Sequence, residues 1–315
     1  MEVIYGRSKS CDMHIPSGIG LGNFDGLHVG HMTLVNTLIN ESRFEGLKSV
    51  LYTFTKHPEN ILRKKLFTPL ITTEAKKIQL LKETALNFLY FDEFTEEYSR
   101  TEPEGFVRDI LVGKLKIKLA VAGFDYRFGY KGSGDVQLLK KLGEKYNFKV
   151  VIVPPIKVDD EVASSTLIRK AVDKGDMDKA FKLLGRHFSV TGKVMEGRQI
   201  GNKIGFPTAN LYPEEYLILP HTGIYITKTL IDGALHNSVT NVGYNPTFEK
   251  LEKASVETHI LDFSSDIYDR NIEVFFISRI RGEKKFSSKE ELMEQIDRDV
   301  LKAREFFSKY DIQKV

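Results

Sequence analysis

The spacing of apolar residues changes once along this chain, near Gly185-Arg186-His187-Phe188, and that change constrains the fold more than any single motif. Upstream, the short apolar runs Gly18–Leu21, Ser49–Phe54, Leu86–Phe91, Lys118–Ala122 and Lys149–Val153 have strand character. Between them lie Leu34-Val35-Leu38-Ile39, Ile78-Leu80-Leu81, Phe106-Ile110-Leu111 and Leu138-Leu139-Leu142, each with helical spacing. Such alternation predicts an α/β domain, a parallel sheet with helices on both faces. Two short helices, Ile168–Val172 and Met177–Leu184, would close it. Downstream the period drops to two. Ser189–Met195, Gly223–Leu230, Leu235–Asn241, Ala254–Ile260 and Asn271–Ile277 alternate or run β-branched between turn residues, which predicts an antiparallel β-barrel. Ser287-Ser288 ahead of Glu290-Glu291 reads as an N-cap, and Leu292, Ile296, Val300 and Leu301 form one apolar face of a terminal α-helix packed on the barrel as a structural element. With 315 residues, two cores are expected, 1–185 and 186–315.

Three polar stretches fall where a parallel sheet presents its carboxyl ends, the usual place for a ligand. The first, Gly22-Asn23-Phe24-Asp25-Gly26-Leu27-His28-Val29-Gly30-His31, joins a strand to a helix. Its glycines allow a sharp turn, the helix start favours an anion, and His28 and His31 are spaced to project from one face. It reads as a phosphate site, with Gly22, Asn23, Asp25 and Gly30 shaping it. The second runs from Gly123 to Gly134 and holds Phe124, Asp125, Tyr126, Arg127, Phe128 and Tyr130, aromatics that suit a planar partner or a core. The third is Ala163-Ser164-Ser165-Thr166-Leu167-Ile168-Arg169, where hydroxyls can cap a helix and, with Arg169, gather on a triphosphate.

In the second half, Gly197, Gly201 and Gly205 recur at every fourth position, a pattern suited to a loop that wraps phosphates with its main chain. Pro207 then fixes the chain before Thr208 and Asn210, whose oxygens suit Mg2+ shared with a phosphate. A Gly-rich hairpin leading into a strand is the competing account.

Composition narrows the partners. Lys plus Arg number 46 against 43 Asp plus Glu, and a net charge of +3 gives no basic stripe for nucleic acid. Cys11 is the only cysteine, so no internal disulfide can form, and it reads as a small half-buried residue. No uncharged run approaches the roughly 18 residues of a membrane span. A cytoplasmic protein, monomeric or weakly self-associating, is expected, working on small molecules.

The stretches GNFDGLHVGH and SSTLIR together resemble the nucleotidylyltransferase superfamily, and more narrowly the adenylyltransferase module of the bacterial riboflavin kinase/FAD synthetase family. Phe54-Thr55-Lys56-His57-Pro58 and Gly123–Gly129 are similar to that module too, with Lys56 where a proline is common. The glycine series with Gly205-Phe206-Pro207-Thr208-Ala209-Asn210 resembles the flavokinase module. So do Asn241–Phe248, Val256-Glu257-Thr258-His259 and Arg281 followed by Lys285-Phe286. The resemblance implies a Rossmann-like first domain that adenylylates FMN to FAD and a barrel that phosphorylates riboflavin to FMN, with ATP as co-substrate and Mg2+ as cofactor. By resemblance Thr208 and Asn210 would hold the metal, and Glu257 would be the general base. Spacing alone does not separate Glu257 from Glu252 or Glu273. His28 and His31 would steady the phosphates, Arg169, Ser165 and Thr166 the leaving pyrophosphate, and Phe124, Asp125, Phe128 and Arg281 are candidate flavin contacts. The rivals are a chain with one active half and a flavin or nucleotide sensor without turnover.

Overall fold

A computed structural model describes residues 1–6, 15–62, 68–195, 205–213, 216–246, 252–310 and 312, without the side chains of 62, 244–246 and 252–254. Cys11, Gly197 and Gly201 lie outside the described residues. Packing divides the chain into two compact units, Met1–Ser165 and Thr166–Val315.

The first unit follows the expected alternation. Its strands are β1 (Glu2–Tyr5), β2 (Ser17–Leu21), β3 (Lys48–Phe54), β4 (Phe88–Asp92), β5 (Ile117–Gly123) and β6 (Lys149–Val153), in the sheet order β1-β4-β3-β2-β5-β6. Every pairing in that sheet is parallel. The edge strand β1 was not anticipated, because four residues are too few to display a period. Helices α1 (Val29–Phe44), α2 (Pro58–Leu62), α3 (Glu74–Lys82), α4 (Pro103–Gly105) and α5 (Val136–Tyr146) fill the connections, and Phe106–Lys114 winds as a π-helix. A two-residue pair, β7 (Lys157–Val158) and β8 (Glu161–Val162), forms a small hairpin.

Both faces of this sheet are apolar, which is why its strands read as continuous runs. Ile19, Leu21, Val50, Tyr52, Ala120 and Ala122 pack to one side. Leu51, Leu89, Leu119 and Val121 pack to the other, against Leu34, Val35 and Leu38 of α1. α1 crosses β2 closely: a Cβ at Gly20 would lie 2.9 Å from the Leu38 Cδ2 atom. The sheet order puts β2 between β3 and β5, where strand order reverses, so the loop after β2 opens at the position such sheets use for ligands.

The second unit begins with α6 (Ser165–Lys174, its first residue the last of the first unit) and α7 (Met177–Leu184). These helices belong to the barrel by packing: the His221 N–H donates to Val172 O at 3.1 Å, and α7 lies against the barrel strands. The compact units therefore part at 165/166, ahead of the 185/186 boundary read from periodicity, because two amphipathic helices carry no mark of which core they cover. The closed barrel has the order β10-β13-β12-β11-β14-β9, from β9 (Phe188–Met195), β10 (Ala209–Leu211), β11 (Gly223–Ile231), β12 (Ala234–Pro246), β13 (Glu252–Ile260) and β14 (Asn271–Arg281). Helix α8 (Lys289–Lys309) follows, capped by Ser288, whose side chain accepts from the Glu291 N–H.

Alternation sorts the barrel residues into an interior and an outer shell. Tyr225, Val242, Val256, Val274 and Phe276 fill the interior beside a fully buried hydroxyl ladder. Thr227 meets Ser238 at 2.8 Å and Thr240 at 2.7 Å, Thr229 meets Ser238 at 2.8 Å, and Thr240 donates to Thr258 at 2.8 Å. Ladder and rings leave the interior filled. The outer positions Ile226, Val239 and Ile277 pack instead with Ala303 of α8.

Candidate functional site

In the first unit, the chain leaving β2 turns through a backbone that ordinary residues avoid. Phe24 and Leu27 have φ of 49° and 40°, and Gly26 has 85°. A non-glycine residue held there costs about 1–3 kcal/mol, and both side chains are fully buried in the α1 core, which holds them in place. Asp25 turns inward. Its carboxylate accepts the Ile71 N–H at 3.0 Å and the Thr72 N–H at 3.2 Å, while the Gly26 N–H donates to Thr72 Oγ1 at 2.6 Å. Ser165 Oγ donates to Asp25 O at 2.9 Å. Asp25 and Ser165 are thus engaged by the protein itself, and they hold the loop.

That loop delivers the two histidines. His28 is the N-cap of α1, and its Nδ1 accepts the His31 N–H at 3.3 Å. Because Nδ1 accepts, the proton of the neutral ring sits on Nε2. The two imidazoles stack with centroids 3.6 Å apart and planes at 20°, and His31 meets the Phe24 ring edge-on at 5.2 Å. Gly30 is needed for this: a Cβ there would lie 3.1 Å from a carbon of the His28 ring. His28 and His31, three residues apart, do lie together on one face, and His28 in addition caps the helix.

Beside the loop is a small cavity of 30 Å³ bordered by Asn23, Asp25, His57 and Lys77. Lys77, on α3, was not picked out by sequence. It is 7% exposed, and its ammonium donates to Asn23 O at 3.1 Å. Thr53 Oγ1 donates to the same carbonyl at 2.9 Å. Burial pushes the Lys77 amine down to about 8, against the pull of Asp25 and Glu74.

The aromatic loop after β5 divides in two. Phe128 is a core residue, 6% exposed and packed on Phe106 and Tyr126 at 5.8 and 5.7 Å, so packing accounts for its ring. Burial likewise pushes the Tyr126 hydroxyl up. Phe124 is exposed, and Asp125 turns back over Gly123. Thr166 and Arg169 lie on α6.

In the second unit, a cavity of 630 Å³ sits on the outer shell of the barrel, under α8. Glu257, Thr208, Asn241 and His259 give it a polar end, and Phe206, Ile224, Val239, Phe286, Leu292 and Ile296 give it apolar walls. The register explains the polar end. Glu257 of β13 pairs with Asn210 of β10 on one side and Asn241 of β12 on the other, so three polar side chains share one outward-facing row. Of the two alternatives to Glu257, one is otherwise engaged. Glu273 is buried and accepts from Ser189 Oγ at 2.6 Å, and the Glu252 side chain is outside the described residues.

His259 braces the loop before β10. Its Nδ1 lies 2.8 Å from Pro207 O, where it must donate, and its ring meets Phe206 at 5.6 Å. That leaves Thr208 on the rim of two chambers, the cavity above and a second one of 230 Å³ bordered by Pro207, Ala209, Phe263, Ser265 and Tyr268. Gly205, at φ 85°, opens the turn into this loop.

The terminal helix, read from sequence as structural, also builds the site. Asp299 of α8 is 1% exposed and takes the Arg281 guanidinium through Nε at 2.9 Å and Nη2 at 2.7 Å, with Gln295 donating to its other oxygen at 3.0 Å. Arg281 is thereby fixed on the cavity wall beside the Phe286 ring, 5.9 Å away. An apolar stripe marked α8 as a packing helix, while Asp299 within it carried no periodic signal.

A model of the FAD synthetase family matches residues 12–167, and a model of riboflavin kinase matches residues 184–307. The chain is similar to the bifunctional riboflavin kinase/FMN adenylyltransferase of Buchnera aphidicola subsp. Schizaphis graminum, 34% identical over 98% of this chain and 99% of that protein. It is 35% identical to the Bacillus subtilis protein of the same name, over 93% of each chain. A crystal structure from Streptococcus pneumoniae, named a macrolide-efflux protein, superposes with a TM-score of 0.87 at 31% identity, covering 96% of this chain and 99% of that one. Among the described residues of this chain, no helix is long and apolar enough to cross a membrane.

Proposed function

The chain belongs to the family of bifunctional riboflavin kinase/FMN adenylyltransferases, and from that premise we propose how its two sites divide the work: the barrel phosphorylates riboflavin to FMN, and the parallel-sheet domain adenylylates FMN to FAD. The observation that carries the reading is Thr208, on the rim of two chambers, with Glu257 in the larger. Phosphoryl transfer needs a donor and an acceptor on either side of one point. The apolar walls of the larger chamber suit the flat ring of riboflavin, and its polar end suits the ribityl chain. The smaller chamber suits ATP. Glu257 accepts the proton of the terminal ribityl hydroxyl as that oxygen attacks the γ-phosphorus, and the bond to the β-phosphate oxygen breaks, leaving ADP. Arg281, held by Asp299, offers positive charge on the flavin side.

Thr208 and Asn210 supply oxygens of the kind Mg2+ accepts. Among the described residues no three His, Cys, Asp or Glu side chains gather on one metal position, which suits an ion carried largely by ATP phosphates. When bound, Mg2+ neutralises phosphate charge.

In the first domain the attacking group is the FMN phosphate. Its oxygen forms a bond to the α-phosphorus of ATP, the α–β bridge breaks, and pyrophosphate leaves, so no protein nucleophile takes part. His28 donates through Nε2 to the phosphates, with His31 stacked behind it. Gly22, Gly30 and Asn23 bring the backbone up to the nucleotide, and Thr166 and Arg169 bind the leaving pyrophosphate. Since Arg169 belongs to this chemistry, we draw the functional boundary at 185/186. Phe124 and Asp125 are assigned to the FMN side. We further infer a cytoplasmic enzyme, a monomer or weak oligomer, that binds no nucleic acid.

Incubation with riboflavin, ATP and Mg2+, followed by separation of the flavins, tests this. FMN should accumulate first and FAD follow with pyrophosphate. FMN without FAD would remove the adenylyltransferase assignment, and bound but unchanged riboflavin would leave a sensor.

A further inference from the structure

The most unusual group outside the assigned chemistry is Lys77. A lysine is almost never buried without a partner, and desolvating its ammonium costs several kcal/mol. Leu81, one turn along the same face of α3, is fully buried, so packing alone would be served by an aliphatic side chain at 77. What the ammonium gains is the Asn23 carbonyl at 3.1 Å, with Thr53 Oγ1 3.5 Å away and the Phe91 ring centroid at 5.8 Å, and of these the carbonyl is the strong acceptor.

That carbonyl belongs to the peptide that leads into Phe24, the first left-handed residue of the loop. Segment 71–77 holds the loop at three successive places. Ile71 and Thr72 N–H groups hold the Asp25 carboxylate, Thr72 Oγ1 holds the Gly26 N–H, and Lys77 holds Asn23 O. The first two grips lie past Phe24, whereas Lys77 holds the chain before it. Together they fix the direction in which the loop reaches His28.

We propose that Lys77 is a positioning residue of adenylyl transfer: its buried ammonium clamps the Asn23 carbonyl and so sets the loop that carries His28 and His31 to the phosphates. The inference rests on reading the first domain as the adenylyltransferase. A misplacement of about 1 Å at reacting groups can cost on the order of a hundredfold in rate, and that is the scale expected when the clamp is removed.

The test is Lys77→Met in the full chain, which keeps the volume and removes the donor. FAD formation from supplied FMN should fall ten- to a hundredfold in kcat, with the KM for ATP changed less than threefold and FMN formation by the barrel unaltered. Amide hydrogen exchange across 22–28 should accelerate at least tenfold. FAD formation within threefold of the unaltered chain, or unchanged exchange, overturns the proposal. Should the unaltered chain make FMN but never FAD, the adenylyltransferase reading falls, and the exchange measurement still decides whether Lys77 holds the loop. If Lys77→Met fails to fold, Lys77→Gln, whose amide can still donate to the carbonyl, is measured in the same two ways. Slower exchange in Lys77→Gln than in an accompanying Lys77→Leu supports the clamp, and equal exchange overturns it.

Discussion

Glu257 and Glu273 stand on antiparallel strands of the same barrel, and their neighbours give them different work. Glu273 is buried against Ser189, whereas Glu257 faces a chamber in a row with Asn210 and Asn241. Glu257→Gln should lower FMN formation by about a hundred- to ten-thousandfold, with FAD formation from supplied FMN retained, as measured by separate assays of the two steps. At Lys77 the pH dependence follows from burial. Its amine titrates near 8 in the fold and at about 10.4 in an unfolded chain. Between these values the unfolded chain binds the extra proton, so this group favours folding more as pH rises. The other titratable groups bordering the same cavity are Asp25, Glu74, Lys56 and His57. The neutral amine still donates to the Asn23 carbonyl but more weakly than the ammonium, so the kcat/KM for FAD formation should decline modestly and reversibly with a midpoint near 8 while the Lys77 contribution to stability does not decline, checked by rate profiles beside thermal unfolding. Equal profiles for both products would contradict the expectation. Sequence could not show Lys77, because a charge on a helix reads as solvated and nothing in its neighbours says otherwise.

Among the elements, the longer strands of both units are legible in the sequence because their burial matches their apolar pattern, whereas the four-residue β1 is not. β10 is not legible as a strand, and α8 only as a helix. β10 is three residues long, too short to display a period, and in the sequence its start merges with the end of a glycine-rich stretch. α8 was legible as a helix but not as a wall of the site, since Asp299 acts through a partner, Arg281, that lies on another element. Breaking a buried ion pair from one side typically costs about 3–5 kcal/mol, and Arg281 is partly exposed. Asp299→Asn should therefore destabilise the barrel by about 2 kcal/mol and raise the KM for riboflavin roughly tenfold, read from denaturant unfolding and kinase kinetics. At the start of α1 the contact is steric. Gly30→Ala would push a methyl into the His28 ring, 3.1 Å away, and should reduce FAD formation at least tenfold while FMN formation continues.

For the whole molecule, the two periods named two architectures, and both are present. The seam between them was less legible, because α6 and α7 are amphipathic helices that would suit either core. Their packing on the barrel gives a direct test. A fragment of 166–315 should fold and make FMN, whereas 186–315, stripped of both helices, should unfold at lower temperature or fail to fold, as followed by circular dichroism and flavin analysis. Equal stability of the two fragments would return the structural seam to 185/186.

One consequence of the wall at Thr208 concerns traffic. If riboflavin takes the larger chamber and ATP the smaller, as proposed, neither blocks the other's doorway, and the kinase step needs no fixed sequence of arrival or departure. Steady-state kinetics should fit a random ternary mechanism. A single compound made by tethering a flavin to a nucleotide would have to thread past that one hydroxyl to occupy both rooms.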